Sequence, residues 1–245
     1  MVICISPAKT FSKTHVEPKT VPHFEKDASM FVKKLKKIPI NDLMNLMHVS
    51  EAIAYDVHDF YLDFGKTTSA AIYLYEGQAY KGLDPKSIPT QDIDLMQQHL
   101  YILSGLYGLV RPLDGISKYR LEMKSRIIGN LEHHWKKKIQ KYFKTHHPEE
   151  IIINLASDEY GKLLSGLKNV HTIDFIIQLD DKPVQNNMAI KMIRGMMARH
   201  LITSKINDPL DFKNITLDGF IYQPHQSSST HSVFLKEITK NVTGK

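Results

Sequence analysis

Polar residues that follow two short apolar runs are the first candidates for chemistry in this sequence. The runs cover residues 2–5 and 151–153, and each is typical of a buried strand that ends in a polar motif. The polar residues in these motifs are Ser6, Lys9, Ser157, Asp158 and Glu159. Ligands of open α/β sheets bind outside the carboxyl ends of the strands. If the two runs are parallel neighbours, one cleft therefore holds hydroxyl groups, an ammonium group and two carboxylates.

This combination of side chains predicts either phosphate binding or catalysis. A lysine beside carboxylates can hold a phosphate, orient a base or, with a lowered pKa, act as a nucleophile. The candidate catalytic residues are Ser6, Lys9, Asp158 and Glu159. An alternative stays open, in which Ser157 and Asp158 cap the following helix and Glu159 lies in its first turn.

Positive charge is concentrated in two blocks of the sequence. The formal net charge is +6, and residues 111–144 hold 10 basic and 3 acidic side chains. Residues 1–40 hold 8 basic and 3 acidic side chains, whereas residues 41–110 hold 3 and 9. A dense positive block raises the local concentration of polyanions. The pattern predicts a nucleic-acid partner, and the alternative is a solvated, lysine-rich surface that keeps the protein soluble.

Basic side chains that could contact phosphates are the candidates for binding DNA or another anion. They are Lys9, Arg111, Lys118, Arg120, Lys124, Arg126, Lys137, Lys141, Lys191, Arg194 and Arg199. Lys191 and Arg194 are three residues apart and share one face of a predicted helix. Trp135 lies on the apolar stripe of the predicted helix 131–145, which favours a core position over a stacking platform for bases.

Residues 40–60 have the spacing of a helix-hairpin-helix, with apolar side chains in two helical stripes around a short turn. In that module the hairpin amides and a helix N-terminus bind a DNA phosphate without reading sequence. The predicted hairpin is His48, Val49 and Ser50. His48 and Ser50 replace the usual glycines, and the segment is acidic. The alternative is an ordinary helical hairpin that packs its apolar side chains into the core.

Signatures of common cofactor and metal sites are absent from the sequence. It has neither a Walker-type phosphate loop nor a dinucleotide glycine fingerprint, which argues against a nucleoside triphosphatase or a dehydrogenase. The single cysteine, Cys4, excludes a zinc site built from cysteines alone and reads as a small core residue. Two pairs of adjacent histidines, 133–134 and 146–147, read as surface residues with poor geometry for one metal ion. We expect no cofactor and no dedicated metal site, and no ligand spacing marks direct iron binding.

The elements predicted from the apolar patterns indicate an α+β, or mixed α/β, single domain over residues 1–245. Its central mixed sheet would be flanked by helices. The predicted strands cover 2–5, 69–80 with a glycine turn at Gly77, 151–153, 170–179, 219–223 and 232–235. The predicted helices cover 24–37, 40–61 with one break, 92–104, 131–145 and 188–202. No apolar stretch is long enough to cross a membrane, and we expect no secretory signal, so the sequence predicts a soluble, intracellular protein.

Six motifs, in this order along nearly the whole chain, resemble those of the bacterial YaaA peroxide-stress resistance family. They are Ser6-Pro7-Ala8-Lys9-Thr10, Leu103-Ser104-Gly105-Leu106-Tyr107-Gly108, Arg111-Pro112-Leu113-Asp114, Tyr119-Arg120-Leu121-Glu122-Met123, Asn154-Leu155-Ala156-Ser157-Asp158-Glu159-Tyr160, and Arg194-Gly195 followed by Met197 and Arg199. One departure is Gln78, since an acidic residue usually follows the glycine at position 77.

The resemblance implies a cytoplasmic protein of the peroxide response that is associated with limiting free intracellular iron and DNA damage. It also implies a mixed fold with a positively charged cleft, a helix-hairpin-helix, and DNA binding as its activity. We therefore expect a DNA-binding protein that contacts duplex or distorted DNA without sequence specificity. The alternative is an enzyme that acts on a nucleic acid or a nucleotide-like substrate in a cleft around Lys9 and Asp158. The sequence predicts no oligomeric state.

Overall fold

A mixed β-sheet runs through the centre of the protein. The computed structural model describes residues 1–238, and within them nine strands form this sheet while four short strands form two separate pairs. The strands are β1 (Val2–Ile5), β2 (Thr10–Phe11), β3 (Ser69–Ala70), β4 (Tyr75–Glu76), β5 (Leu100–Ser104), β6 (Gly108–Val110), β7 (Gly115–Ile116), β8 (Ile152–Asn154), β9 (Val170–Leu179), β10 (Lys182–Pro183), β11 (Thr216–Leu217), β12 (Phe220–Tyr222) and β13 (His231–Ile238). The α-helices are α1 (Glu25–Leu35), α2 (Ile40–Met47), α3 (Glu51–Leu62), α4 (Ala71–Leu74), α5 (Gln78–Leu83), α6 (Thr90–His99), α7 (Leu131–His146), α8 (Asp158–Gly161) and α9 (Asn187–Thr203). Short 3-10 helices cover Pro85–Ser87, Lys162–Leu164, Pro209–Asn214 and Pro224–Gln226.

Five parallel strands form the middle of the sheet, in the order β13-β9-β8-β1-β5. Antiparallel strands close the two edges, with β12 and β11 beyond β13 and with β6 beyond β5. All four residues of β1 are buried, as expected for a parallel strand that is covered on both faces. Since β1 pairs directly with β8, the two apolar runs are parallel neighbours, and the predicted mixed fold with helices around a central mixed sheet is confirmed.

Two glycines allow α5 and α9 to pack backbone against backbone. A Cβ atom on Gly195 would lie 1.8 Å from the carbonyl oxygen of Ala79, and one on Gly82 would lie 2.1 Å from that of Met192. No other side chain fits at these positions, because the atoms in the way belong to the main chain. The close contact holds α9 beside the carboxyl end of β1, where its basic residues face the same space as the end of that strand.

Helix α7 buries its apolar face in the core, and α1 packs against one side of it. Leu131, Trp135, Ile139 and Phe143 of α7 are buried. The indole Nε1 of Trp135 donates a hydrogen bond to the carbonyl oxygen of Gly105 at 2.9 Å. The ring of Phe31 on α1 meets that indole edge to face, at 5.7 Å between centroids. The predicted core position of Trp135 is therefore confirmed.

Two predicted elements are wrong. The stretch 69–80 is not one strand, because the helical turn α4 separates β3 from β4 and α5 follows. The amide groups of Ala71 and Ile72 bond to the carbonyl oxygens of Asp114 and Pro112, so a distant loop sets this turn. The predicted helix 92–104 ends at His99, and its last five residues form β5 beside β1. A short, fully buried apolar run has the same pattern in a helix and in a central strand.

Cys4 lies in the middle of β1 and is fully buried. Burial raises the pKa of its thiol well above the ordinary value, because the thiolate would be desolvated there. The prediction of a core cysteine is confirmed. In residues 1–238, no helix has the length and apolarity that crossing a membrane requires.

Candidate functional site

A cleft of about 540 Å³ opens at the carboxyl ends of β1 and β8. The polar residues that follow the two strands all line it, as expected from the parallel pairing. These residues are Ser6, Lys9, Ser157, Asp158 and Glu159. Residues 119–122 form another part of the wall, and α9 contributes Met188, Lys191 and Arg194. Residues 76–80 complete the lining, so the cleft collects residues from five distant parts of the chain.

Two serine hydroxyl groups join the ends of the strands. The Oγ of Ser6 accepts a hydrogen bond from the amide of Ser157 at 2.9 Å and lies 3.2 Å from the Oγ of Ser157. Ser157 occupies the N-cap position of α8, but its side chain makes no capping hydrogen bond to that helix. The hydroxyl of Ser157 thus faces the cleft, although capping was the alternative that the sequence left open. Asp158 and Glu159 lie in the first turn of α8.

Glu122 connects the charged residues of one wall. Its carboxylate lies 2.9 Å from the Nζ of Lys9, 3.8 Å from the Nζ of Lys124 and 3.9 Å from an Nη of Arg120. The carboxylate of Glu159 accepts a hydrogen bond from the amide of Lys124 at 3.0 Å. Lys9 is therefore held in an ion pair across the cleft rather than standing beside Asp158 alone.

The charges that line the cleft balance one another. The basic residues of the lining are Lys9, Arg120, Lys191 and Arg194, and the acidic residues are Glu76, Glu122, Asp158 and Glu159. The resemblance implies a positively charged cleft, whereas these eight side chains carry no formal net charge. A polyanion would therefore gain little from the general field of this cleft, but local pairs can still bind a small ligand.

Two arginines of the cleft lining have an unpartnered buried donor. The Nε atoms of Arg120 and Arg194 are buried, and neither has a hydrogen-bond partner among the residues that the structure describes. Burial lowers the pKa of the Arg194 guanidinium, and the charges of Asp174 and Asp158 partly offset that effect. Buried donors in native proteins are nearly always bonded, so these two unpartnered donors stand out and point to these arginines as functional candidates.

Buried tyrosines support the wall of the cleft from below. The hydroxyl of Tyr119 lies 2.7 Å from those of Tyr75 and Ser104, and the hydroxyl of Tyr80 donates to the carbonyl oxygen of Ser6 at 3.2 Å. Burial raises the pKa of Tyr119 to about 12, so its phenol stays neutral. Sequence reasoning missed Glu122 and these tyrosines as parts of the site, although Glu122 and Tyr119 both lie in the motif 119–123.

Other basic candidates bind parts of the protein itself. The guanidinium of Arg199 donates to the carbonyl oxygens of Leu83 and Asp84 and to the hydroxyl of Ser87, at 2.7–3.2 Å. It thereby ties α9 to the turn after α5. Arg111 lies 3.6 Å from the buried carboxylate of Asp114. Both arginines, Arg111 and Arg199, therefore bind neighbouring groups of the protein itself.

The remaining candidates lie outside the cleft. Lys118 lines a second cavity, together with Asp56, Asp59 and Asp63 of the acidic segment. Arg126 is exposed in the loop before α7, and Lys137 and Lys141 are exposed on α7. The structure therefore brings together Lys9, Arg120, Lys191 and Arg194, with Lys124 at the edge, and leaves the other basic candidates elsewhere.

The two basic blocks of the sequence meet where α1 packs against α7. Asp27 on α1 accepts from His134 at 3.0 Å and from Lys138 at 2.5 Å, both on α7. The nearby charge of Lys34 also acts on His134. We call the exposed lysines on these helices and their ends the α1/α7 lysine surface. They are Lys33, Lys34, Lys37, Lys137, Lys141 and Lys144.

Helices α2 and α3 form a helical hairpin with a three-residue connection. His48 has a positive φ of 51°, the conformation for which glycine is the usual residue. The amide of Val49 bonds back to the carbonyl oxygen of Met44 at 3.2 Å. Glu51 is exposed beside the turn and Asp42 is exposed in the first turn of α2, so neither of these side chains favours a phosphate. The geometry is that of two helices and a tight turn, and its use in DNA contact stays a prediction.

The histidine pairs have different surroundings. His133 and His146 are exposed, as predicted. The ring of His147 is largely covered and lies between the hydroxyl of Tyr101 and the carboxylate of Glu150, so its predicted surface position is wrong. Among residues 1–238, no three His, Cys, Asp or Glu side chains are grouped as a metal ion would require.

Comparison with known proteins identifies the family. A family described as "Peroxide stress protein YaaA" matches residues 1–226. The chain belongs to this YaaA family. Relatives named UPF0246 protein cover it almost completely. The one from Polynucleobacter asymbioticus is 34% identical over 98% of this chain and 100% of its own length. Those from Parabacteroides distasonis and Clostridium botulinum are 32% and 31% identical, each over 97% of this chain and 100% of their own length.

Membership of the YaaA family agrees with the order of the six motifs and connects the protein with peroxide stress. Four of the six motifs line the cleft, namely those that contain Lys9, Arg120, Asp158 and Arg194. The motif that contains Arg194 also supplies Gly195, the residue that allows α9 to pack closely on α5. Most of the motifs that carry the family resemblance thus meet at one site.

Proposed function

We propose that the protein binds DNA without sequence specificity during peroxide stress, through the α1/α7 lysine surface. The observation that carries this proposal is the packing of α1 on α7. It joins two positive blocks that lie about 100 residues apart in the sequence. Lysines held at helical spacing on neighbouring helices suit contact with the regularly spaced phosphates of DNA.

The electrostatics of the rest of the molecule support the choice of this surface. The lining charges of the cleft balance, and the exposed charged side chain beside the α2–α3 turn is the acidic Glu51. The lysines of α1 and α7 have few acidic neighbours apart from Asp27, which is paired with His134 and Lys138. Replacing their counterions with phosphates releases those ions, and this release drives non-specific binding.

The association with free iron, which the family resemblance implies, belongs to the same proposal. Iron and peroxide damage DNA where they meet it, and a protein spread along the phosphates would occupy that surface. Protection of a plasmid from nicking by ferrous iron and peroxide would measure this part of the function.

Duplex binding at several salt concentrations tests the proposal. We expect log K to fall linearly with log salt concentration, and the slope to become shallower by about 0.9 for each phosphate that a variant no longer neutralises. The test variants are Lys33→Gln with Lys34→Gln, and Lys137→Gln with Lys141→Gln. The control is Lys168→Gln with Lys213→Gln, which removes the same charge from exposed positions elsewhere. Absence of binding at low salt, or equal weakening in the control, would refute it.

An enzyme that acts on a nucleotide-like substrate is the second candidate. It is favoured by the convergence of Ser6, Lys9, Asp158 and Glu159 in one cleft at the carboxyl ends of parallel strands. A protein that only holds a DNA backbone has no need of such a cleft. Binding of a nucleotide there is the first requirement of such an enzyme.

A further inference from the structure

We propose that the cleft binds one nucleoside monophosphate unit, with its phosphate on Arg194 and Lys191 and its base or sugar donors on the carboxylates. The inference deepens the second candidate function and rests on the same cleft. It does not depend on DNA binding by the α1/α7 lysine surface. The unit could be a free nucleotide or one nucleotide turned out of a DNA strand, since both present the same groups.

Arg194 is the group that most needs an anion. Its side chain is largely buried, its Nε has no partner within the described residues, and no carboxylate lies within ion-pair distance of it there. Asp158 and Asp174 act on it only through their charges at longer range. Lys191 lies one turn earlier on the same helix and lines the mouth of the cleft. A phosphate between the two side chains would gain charge-assisted contacts with both and place an anion beside the unpaired guanidinium.

The cleft lining also holds side chains that accept hydrogen bonds. Glu122, Asp158 and Glu159 are carboxylates, which when ionised only accept. A bare phosphate offers them no attraction, whereas a nucleobase or a ribose offers N–H and O–H donors. The unpartnered Nε of Arg120 adds one donor for a ring nitrogen or a carbonyl oxygen. The ligand must therefore be an anion that also carries donors.

The size of the cleft agrees with a nucleotide. Its volume of about 540 Å³ lies within the range of small-molecule sites. Inorganic phosphate would fill only a small part of it, and a DNA duplex is far too wide to enter. Ile5, Leu155 and Met188 give the lining an apolar part on which the flat face of a base can lie. The volume is sufficient for one nucleotide.

Calorimetric titration with AMP, CMP, GMP and UMP tests the proposal, with ribose 5-phosphate, adenosine and inorganic phosphate as comparisons. We expect at least one monophosphate to bind more tightly than all three comparisons. Arg194→Gln should weaken it roughly 10- to 150-fold, the effect of losing a hydrogen bond to a charged group. Arg194→Lys should retain only part of the wild-type affinity, because lysine keeps the charge but lacks the planar guanidinium and its paired donors.

Lys191→Gln is the variant with the smallest effect on folding, since Lys191 is exposed. We expect it to weaken monophosphate binding by up to about fivefold, and Lys213→Gln to leave it unchanged. The proposal is overturned if no monophosphate binds at millimolar concentration, or if inorganic phosphate binds as tightly as the best monophosphate. Unchanged affinity in Arg194→Gln with a normal unfolding curve would also overturn it.

A duplex with 2-aminopurine beside a gap separates the two sources of the nucleotide. A rise in fluorescence that the best monophosphate suppresses and Arg194→Gln abolishes supports a nucleotide turned out of DNA. Tight monophosphate binding without such a rise supports a free nucleotide. Variants of the α1/α7 lysine surface should weaken duplex binding and leave the monophosphate affinity unchanged. Failure of DNA binding is thus distinguishable from failure of the cleft site.

Discussion

His171 is a titratable side chain that the fold buries away from the cleft. It lies on β9 with its Nε2 2.8 Å from the hydroxyl of Ser232 on β13, and it is only 4% exposed. Burial lowers the pKa of its imidazole below the usual 6.5, chiefly because the charged form would be desolvated. The unfolded chain then binds a proton more readily than the folded one. Stability is therefore full above pH 6.5 and is lost as the pH falls below it.

Replacing His171 should flatten this pH dependence. In His171→Gln, we expect the free energy of unfolding to fall less steeply between pH 6.5 and pH 5. The difference is at most about 1.4 kcal/mol per pH unit, the limit for one proton. Urea denaturation at several pH values measures it, and His225→Gln, at an exposed position, is the control. Equal slopes in wild type and His171→Gln would show that folding leaves the pKa of this histidine unchanged, and would contradict the prediction.

At the scale of elements, the packing of α9 on α5 determines where the cleft arginine lies. Gly195 is adjacent to Arg194 in α9, and its Cα touches the main chain of α5. Alanine would raise the helix propensity by about 1 kcal/mol. The added methyl group, 1.8 Å from a carbonyl oxygen, cannot be accommodated by a rotamer change and must push the helices apart. Such overpacking costs typically about 1–3 kcal/mol, so the steric effect outweighs the propensity.

We therefore expect Gly195→Ala to lower the free energy of unfolding despite its better helix propensity. It should also weaken nucleotide binding, because α9 carries both Lys191 and Arg194. Gly82→Ala, on the other helix of the same contact, should act in the same direction. Denaturant unfolding and monophosphate titration measure the two effects. A variant as stable as wild type would mean that the helices are less close than described.

At the scale of the whole molecule, the contact between α1 and α7 brings lysines of two separate positive blocks close together. The net charge of +6 conceals an acidic segment at 41–110, which includes the α2–α3 hairpin. The lysines of α1 and α7 repel one another, while Asp27 forms its ion pairs with His134 and Lys138. A surface of this kind adds little to folding stability, which is consistent with its retention for a polyanionic partner.

Neutralising that surface should weaken DNA binding without weakening the fold. For the variant with glutamine at positions 33, 34, 137 and 141, we expect a free energy of unfolding within about 0.5 kcal/mol of wild type, or higher. Any gain in the free energy of unfolding should be largest at low ionic strength, where repulsion between the lysines is least screened. Urea denaturation at low and high salt measures this. A large loss of stability would mean that the lysines serve the fold instead.

Sequence reasoning succeeded where the pattern is local. Strand β9 was predicted with its observed bounds, and α7 and α9 to within a residue at each end. It failed at β5, since pairing with β1 decides that Leu100–Ser104 is a strand. It also failed at α4, where amide groups bond to a loop about 40 residues away. Apolar periodicity carries no information on such partners.

The sequence by itself determined the family, the mixed fold class and the five polar residues at the ends of β1 and β8. These follow from motif order and from the geometry of parallel strands, which depend on residues close together in the chain. Only the tertiary structure decided that Glu122 holds Lys9, that the lining charges balance, and that Arg194 has an unpartnered donor. It also decided that two distant basic blocks form one surface. Charge and hydrogen-bond balance depend on which distant side chains meet, and packing alone determines that.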